Sequence, residues 1–455
     1  MNFLEGQNYI KKKEFRKALN FFLKLEKEKI QDDKIFFYLG VIYFEINEFE
    51  KSILNYKRYL DNFPNSRNAL YNLAIVNYSA GNLKLAKNIY LKLIQLNKKD
   101  IGAYYGLYNV NQNSLTNENY ENLLKLKKND NLSLYDKGII SFLLSIKDKK
   151  DKKFKNEIEQ LDYSHINIYN SNFQYNTSSQ FYYNKIISKH FDKVKILKQN
   201  NIKFELNQIN PIFIIGLPRS GSTLIESILT SGVKKIYSLG ECHIFNMSII
   251  NQIGSKIYYK NFDPNKFNFS IDKKILSEDI YDKYFTYFSD ERMQNKFVLD
   301  KSLENFFNIE IIFDIFPKAK FLHTYRNPKD AVVSIYQSML PELSWTHNIS
   351  DILKYIDDYL KVVNYFKNKY PNLILDINLE NFTENTEKFS KVFYEFCDLS
   401  WNKETLNYYK RKDLFTKTLS SNQIRTKVKT YEYNKYNPYY FIFEKYKKKY
   451  KWLND

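Results

Sequence analysis

The sequence predicts a protein of two parts, a helical array followed by a P-loop-like parallel α/β sheet. Three observations carry this prediction: a 34-residue repeat in the first hundred residues, a glycine-rich loop between a predicted strand and a predicted helix, and further strands that alternate with helices. Strands that alternate with helices form parallel sheets covered by helices. A chain of 455 residues has room for two or three domains.

Small and aromatic residues recur in the first part with a step of 34 residues. The recurring positions are Gly6, Gly40 and Ala74, and then Phe22, Tyr56 and Tyr90. The pattern resembles the tetratricopeptide repeat, a helix-turn-helix unit of that period. Such an array offers a concave surface for a peptide or a partner protein, or it is a lid that orients the second domain. The sequence favours neither role over the other.

The change of character along the chain predicts the domain bounds. We predict a tetratricopeptide-repeat helical domain over residues 1–165, with a degenerate last part, and a helical linker over residues 166–205. The α/β domain then covers residues 206–455. Its strand candidates are PIFII (211–215), KFVLD (296–300), AKFLHTY (319–325) and LILDINL (373–379).

The stretch GLPRSGST, residues 216–223, has the outline of a phosphate-binding loop. It follows a buried-strand pattern and precedes a helical one, which is the context that such a loop requires. Ser222 stands where nucleoside triphosphatases have the lysine that reaches the β- and γ-phosphates. The loop therefore suits a donor with one 5′-phosphate and one further transferable group. The phosphate-binding candidates are Arg219, Ser220, Gly221, Ser222 and Thr223.

A second motif, YRNPKDAVVSIYQ, covers residues 325–337. Asn327 can cap a helix and Pro328 fits its first turn. Arg326 is then expected at the carboxyl end of a strand, where open α/β sheets bind ligands. Ser334 lies two helical turns further along.

These motifs together resemble the sulfotransferases. PIFIIGLPRSGSTLIESIL is similar to their 5′-phosphosulfate loop, FLHTYRNPKDAVVSIYQ to their 3′-phosphate motif, VLDKSLEN to the linking segment and TLSSNQIRTKVK (418–429) to a C-terminal motif. The chain also resembles bacterial sulfotransferases with tetratricopeptide repeats, which are related to tyrosylprotein sulfotransferases. The resemblance covers about residues 205–445 and implies 3′-phosphoadenosine 5′-phosphosulfate (PAPS) as donor. PAPS has no γ-phosphate, so the lysine of triphosphatases has nothing to bind.

The resemblance also implies roles for single residues. Arg219 would neutralise the leaving 5′-phosphate, and Lys301 would bridge the donor and the transition state. Arg326 and Ser334 would hold the 3′-phosphate. The C-terminal residues that would cover the nucleotide are Ser420, which approaches the sulfate, Gln423 and Arg425. No metal is implied, and the sequence contains no Asp/His ligand cluster.

The acceptor hydroxyl must lose a proton, and Glu241 is our candidate base. It lies in SLGECHIF and aligns with a Gly-Glu pair of the tyrosylprotein branch. Cytosolic small-molecule sulfotransferases have a histidine two residues after the lysine, where this chain has Leu303. His243 is the competing base, because it is close in sequence and titrates near neutrality.

We therefore expect a PAPS-dependent sulfotransferase that acts on a hydroxyl of a protein or peptide tyrosine, a glycan or a small molecule. The repeats are a candidate binding site for the acceptor. The alternative is a repeat-based interaction scaffold whose nucleotide-binding domain is inactive. The formal net charge of +19 suggests anionic partners. Nucleic acid is not expected, however, because the lysines are spread along the chain and no recognition motif occurs.

Composition also bears on the compartment. The chain has only two cysteines, so no disulfide framework is indicated and a reducing compartment is expected. The first residues lack the apolar core of a signal peptide. No apolar run reaches the length of about 18 residues that a membrane helix needs. We expect a cytoplasmic protein without membrane insertion.

Overall fold

The computed structural model forms two compact units. It describes residues 3–28, 30, 32–193, 195–197, 209–232, 236–257, 270–287, 297–411 and 423–454. The first unit comprises the described residues of 1–130, 282–291 and 411–425, and the second comprises those of 131–281, 292–410 and 426–455. The predicted domain bounds stay a prediction. The division into compact units, however, groups residues 131–171 with the sheet.

The first unit is built from successive helices. They are α1 (Leu4–Lys11), α2 (Phe15–Lys27), α3 (Lys34–Glu45), α4 (Phe49–Asn62), α5 (Arg67–Ser79), α6 (Leu83–Leu96), α7 (Ile101–Val110) and α8 (Asn117–Lys127). Each helix from α1 to α6 packs against the next one along the chain. The helical array predicted for this part is confirmed, and its assignment as tetratricopeptide repeats stays a prediction.

Glycines of the repeat allow the helices to approach each other. A Cβ atom at Gly6 would lie 2.6 Å from Phe22, and one at Gly40 would lie 2.9 Å from Tyr56. Both aromatic side chains are buried, so they fill the space that the missing side chains leave. The small and aromatic phases of the 34-residue pattern are therefore two sides of the same helix–helix contacts.

The remaining helices follow along the chain. They are α9 (Leu134–Lys150), α10 (Phe154–Ser171), α11 (Phe173–Phe181), α12 (Ser188–His190), α13 (Ser222–Gly232), α14 (Ile244–Ile257), α15 (Lys273–Tyr287), α16 (Ile309–Ile315), α17 (Pro328–Tyr336), α18 (Ile349–Lys369), α19 (Leu379–Glu384) and α20 (Thr386–Phe396). A π-helix, Tyr182–Ile187, joins α11 to α12, and a 3₁₀ helix, Asn437–Tyr446, lies near the carboxyl terminus. None of the described helices has both the length and the apolar character that crossing a membrane requires.

Seven strands are described in the second unit, and five of them form a parallel sheet. The strands are β1 (Lys195–Leu197), β2 (Asn210–Gly216), β3 (Ile236–Gly240), β4 (Ser270–Asp272), β5 (Phe297–Asp300), β6 (Lys320–Tyr325) and β7 (Ile374–Asn378). The sheet has the order β3-β5-β2-β6-β7, and β1 pairs separately with β4. All its neighbouring strands run parallel. The predicted α/β class is confirmed.

The central strand shows why the sequence forms this sheet. From Ile212 to Ile215 every β2 side chain is buried, as expected for a parallel strand covered on both faces. Gly216 pairs with Thr324 of β6 at the carboxyl end. The chain leaves the sheet there and enters the glycine loop.

Candidate active site

Most of the predicted site residues lie at the carboxyl edge of the sheet. The glycine loop follows β2, Glu241 follows β3, Lys301 follows β5 and Arg326 follows β6. Open parallel sheets bind ligands at this edge, because the loops and helix N-termini converge there. The topology therefore brings together residues that are far apart in the sequence.

The glycine loop has a backbone that requires glycine at two positions. Gly216 has φ 143° and Gly221 has φ 87°. A Cβ atom at Gly216 would lie 2.2 Å from the carbonyl oxygen of Thr324, and one at Gly221 would lie 2.5 Å from Leu379. The loop leads directly into α13 at Ser222, so the amino end of this helix, which favours anions, lies next to the loop.

Ser220 provides the test of whether a phosphate group fits this loop. Its side chain is 1% exposed, and its hydroxyl has no hydrogen-bond partner among the described residues. A buried hydroxyl without a partner is unfavourable by about 1–3 kcal/mol. An oxygen of a bound phosphate or sulfate would satisfy it together with the backbone N–H groups, so the loop fits such a ligand.

Arg326 occupies the neighbouring position at the end of β6. Its Nη1 donates to the carbonyl oxygen of Arg219 at 3.1 Å, and its Nη2 donates to the hydroxyl of Tyr431 at 2.5 Å. The carboxylate of Asp330 lies 3.8 Å away. The rings of Tyr431 and Tyr436 lie 5.0 and 4.9 Å from its Cζ. The Nε atom has no partner in the described part of the chain, which leaves one donor for a ligand.

Tyr436 marks an anion-binding position beside this arginine. Its hydroxyl interacts with Ser334 and Arg326, and both interactions favour its ionised form. Burial by itself raises the pKa of Tyr436, but the charges of Arg326 and Lys435 outweigh it and lower that pKa. An oxygen held between Ser334 and Arg326 is therefore favoured in a negatively charged form.

Lys301 is buried between two carboxylates. Its Nζ donates to Glu241 Oε1 at 2.7 Å and lies 3.5 Å from Glu226 Oε2. Ser238 donates to the other oxygen of Glu226 and so fixes that carboxylate. Burial lowers the pKa of Lys301, but Glu241 and Glu226 raise it above the ordinary value. Lys301 is thus held as a cation, whereas the Glu241 side chain is 42% exposed.

His243 forms a second ion pair close to Glu241. Its backbone N–H donates to Ser302 Oγ at 2.8 Å, and its Nδ1 lies 2.5 Å from Glu304 Oε1. The charge of Glu304 raises the pKa of His243 to about 9. Burial raises the pKa of Glu304, but His243 lowers it below the ordinary value. At neutral pH the imidazole is therefore protonated and can donate a proton but not accept one.

The family comparison agrees with the motifs. Residues 211–403 match the model of the sulfotransferase family. The resemblance to sulfotransferases is thereby confirmed for this segment. A curated relative, an uncharacterized protein of Aquifex aeolicus (strain VF5), is 31% identical over 222 residues, which are 47% of this chain and 29% of the relative. The chain thus spans less than a third of the length of that relative.

Solved structures of sulfotransferases were also found. The sulfotransferase domain from the Synechococcus PCC 7002 olefin synthase is 19% identical, and the match covers 51% of this chain and 88% of that one with a TM-score of 0.36. Sulfotransferase STF1 from Mycobacterium tuberculosis H37Rv is 12% identical, and the match covers 68% and 97% with a TM-score of 0.33.

The C-terminal residues predicted from the sulfotransferase resemblance are described only in part. Arg425 belongs to the first unit, where its Nη2 donates to the carbonyl oxygen of Ser79 at 3.2 Å. Ser420 lies outside the described residues, and of Gln423 only the backbone is described. Their roles at the nucleotide stay predictions. Within the described ranges, no group of three or more His, Cys, Asp or Glu side chains could hold a metal ion.

Several residues of the candidate site escaped the sequence analysis. They are Glu226, Glu304, Tyr431 and Tyr436. The two glutamates carry a helical signal only, and the cation that each one contacts, Lys301 or His243, is more than 60 residues distant in sequence. The tyrosines are hidden by composition, since the chain has 40 of them.

Proposed function

We propose that this chain is a sulfotransferase that uses PAPS and moves its sulfuryl group to a hydroxyl of a protein or peptide tyrosine, a glycan or a small molecule. The family match over residues 211–403 supports the class of reaction. The observation that carries the site is the grouping of the glycine loop, the Lys301–Glu241 pair and Arg326 at one edge of the sheet.

The chain offers separate positions for the two ends of such a donor. Ser220 and the N–H groups that precede α13 would hold the 5′-phosphosulfate, and Arg219 would neutralise it. Arg326 and Ser334 would hold the 3′-phosphate at the position where the hydroxyl of Tyr436 now lies. When bound, the donor supplies the sulfuryl group and a 5′-phosphate leaving group.

Glu241 and Lys301 have complementary tasks in the transfer. Glu241 takes the proton of the acceptor hydroxyl while the acceptor oxygen forms its bond to sulfur. Lys301 stabilises the negative charge that develops on the oxygen between the 5′-phosphate and the sulfur, as the bond between that oxygen and the sulfur breaks. Glu241 is the better base because it is an exposed carboxylate, whereas His243 already holds a proton at neutral pH.

The test compares Glu241→Gln with His243→Gln in the full chain. The acceptor is first identified with sulfur-labelled PAPS against cell lysate and against panels of peptides and glycans. We expect Glu241→Gln to lower turnover by about 10²–10⁴-fold, since a glutamine cannot take a proton. His243→Gln should be much milder, and affinity for 3′-phosphoadenosine 5′-phosphate (PAP) should change little in both.

Two outcomes would contradict the proposal. If the unmodified chain binds no PAP and labels no acceptor, it is not a PAPS-dependent sulfotransferase. If it is active and Glu241→Gln turns over normally while His243→Gln is nearly inactive, the base is the histidine. Both variants must be folded and saturated with donor for the comparison.

The scaffold alternative has one observation in its favour. The rings of Tyr431 and Tyr436 cover the guanidinium group of Arg326, and Tyr431 accepts a hydrogen bond from it. They thus occupy the surface of Arg326 that a 3′-phosphate would contact. A chain that serves only as a scaffold need not bind PAP, so measured PAP binding separates the two functions. We also propose that the first helices hold the acceptor and that the protein is cytoplasmic.

A further inference from the structure

Lys149, in the last turn of α9, contacts the helix that carries Ser334. Its Nζ donates to Gln337 Oε1 at 2.6 Å, and Gln337 Nε2 donates to Glu157 Oε1 at 2.8 Å. Gln337 follows α17 directly and is three residues after Ser334. Residues three apart lie on the same face of a helix, about 5–6 Å from each other. The ammonium group therefore lies about one helical turn from Ser334, towards the carboxyl end of α17.

Two tyrosines repeat this spacing from the opposite side. Tyr436 and Tyr439 are three residues apart at the start of the 3₁₀ helix Asn437–Tyr446, so their side chains lie above each other. The hydroxyl of Tyr436 lies close enough to Ser334 to be influenced by it. Tyr439 donates to Glu157 Oε2 at 2.7 Å, and its ring centroid lies 6.0 Å from Lys149 Nζ. Tyr436 therefore lies beside Ser334, and Tyr439 lies beside Gln337. Lys149 contacts this second pair.

The charge of Lys149 lacks a direct counterion in the described part of the chain. No described carboxylate oxygen lies within 4.0 Å of its Nζ, and the nearest acid, Glu157, is engaged by Gln337 and Tyr439. Burial lowers the pKa of Lys149; Glu157 and Tyr436 raise it, and Lys435 and Arg219 lower it further. A half-buried cation beside other cations is a favourable partner for an anion.

We propose that Lys149 is a second cation of the 3′-phosphate site and that it gives the chain selectivity for nucleotides that carry this phosphate. The inference rests on the proposed function. A phosphate monoester carries a charge of about −1.5 to −2 at neutral pH, which Arg326 alone does not neutralise. Lys149 lies outside residues 211–403, so the family match does not assign it.

The test measures binding by calorimetry in the full chain for two nucleotides, PAP and adenosine 5′-phosphate, which lacks the 3′-phosphate. Lys149→Gln should weaken PAP binding by about tenfold or more, because a charge-assisted contact is lost. Binding of adenosine 5′-phosphate should change by less than about threefold. Lys150→Gln is the matched control, since Lys150 is the next residue and is exposed. Arg326→Gln is the positive control.

The outcomes separate the inference from the proposed function. If the unmodified chain binds neither nucleotide, the proposed function fails. If it binds PAP and Lys149→Gln binds it equally well, or loses both nucleotides to the same degree, only the role of Lys149 is wrong. Lys149→Met keeps the stem beside Tyr439 and removes the charge; its losses must match those of Lys149→Gln. Lys149→Arg should retain the preference for PAP.

Discussion

Two buried histidines next to α17 predict that the second unit loses stability in mild acid. His165 and His347 are 0% and 4% exposed, and their Nδ1 atoms lie 3.1 Å apart. His165 Nε2 donates to the carbonyl oxygen of Tyr336 at 2.8 Å, so its Nδ1 accepts from His347. This arrangement requires both rings to be neutral. Burial lowers the pKa of His165 to about 3 and that of His347 to about 4.

The sign follows from comparison with the unfolded chain, in which a histidine has a pKa of about 6.5. Below that pH the unfolded chain binds protons that the folded chain does not, so the free energy of unfolding falls as the pH falls. From about pH 7.5 to about pH 5.5 each histidine lowers it by about 1.4 kcal/mol, or about 2.7 kcal/mol for the pair. The two add because both folded pKa values lie below this interval.

Other histidines act in the same interval, so the slope of the unmodified protein is not diagnostic. His243, with its pKa raised to about 9, contributes stability that is fully present below about pH 6.5 and is lost as the pH rises through 9. Acidification therefore adds stability from His243, whose 41% exposed side chain is partly screened by solvent, while His323, whose pKa is lowered, acts like the buried pair. A difference between variants removes both contributions.

The assay is urea unfolding at the two pH values for the unmodified chain, His165→Gln, His347→Gln and the double variant. At the higher pH every variant should be less stable than the unmodified chain, because a buried contact is lost. On acidification, however, the free energy of unfolding of the double variant should fall by about 2.7 kcal/mol less than that of the unmodified chain. In NMR spectra the imidazole signals of the pair, among five histidines, should not shift between about pH 8 and about pH 5. Equal pH dependence in the double variant, or titration of either ring near pH 6.5, would refute the reasoning.

Two further predictions concern the loop and the thiols. Gly216→Ala should reduce the free energy of unfolding by about 2 kcal/mol or more, because its Cβ would meet the Thr324 carbonyl; Gly240→Ala, also at positive φ (62°) but with open space, should cost only about 1 kcal/mol. Equal losses in urea unfolding would remove the steric argument. Cys242 and Cys397 are buried, and burial raises the pKa of both thiols, so neither should react with a thiol reagent at neutral pH until denaturant is added. Rapid labelling of the folded chain would contradict this.

The sheet and its carboxyl-edge residues could be predicted because their signals are local. The apolar run before Gly216 forms β2, and Asn327 caps α17 by accepting from the N–H groups of Lys329 and Asp330, with Pro328 in the first turn. A strand followed by a loop and a helix places its loop at the carboxyl edge wherever it occurs in the sheet. The position of Arg326 beside the glycine loop follows from the pairing of β2 with β6.

The partners of these residues could not be predicted, because they come from distant segments with no distinctive composition. Tyr431 and Tyr436 reach Arg326 from a tyrosine-rich tail, and Lys149 reaches Gln337 from a helix that reads as part of the preceding array. In a chain with 70 Lys and Arg residues, one lysine that lacks a counterion has no signature in the sequence. Only the fold distinguishes it.

The proposed role of Glu241 as the base must be compatible with its contact to the buried Lys301. When Glu241 takes a proton, its charge is lost and Lys301 would become an unpaired cation in a buried place, which is costly. Glu226 lies 3.5 Å from the same ammonium group, so in the proposed transfer Lys301 keeps a carboxylate partner. Glu304 similarly holds His243 as a cation and keeps it from competing for the proton. The second carboxylate of each cluster thus supports the positive charge of its cation, as the proposed role of Glu241 requires.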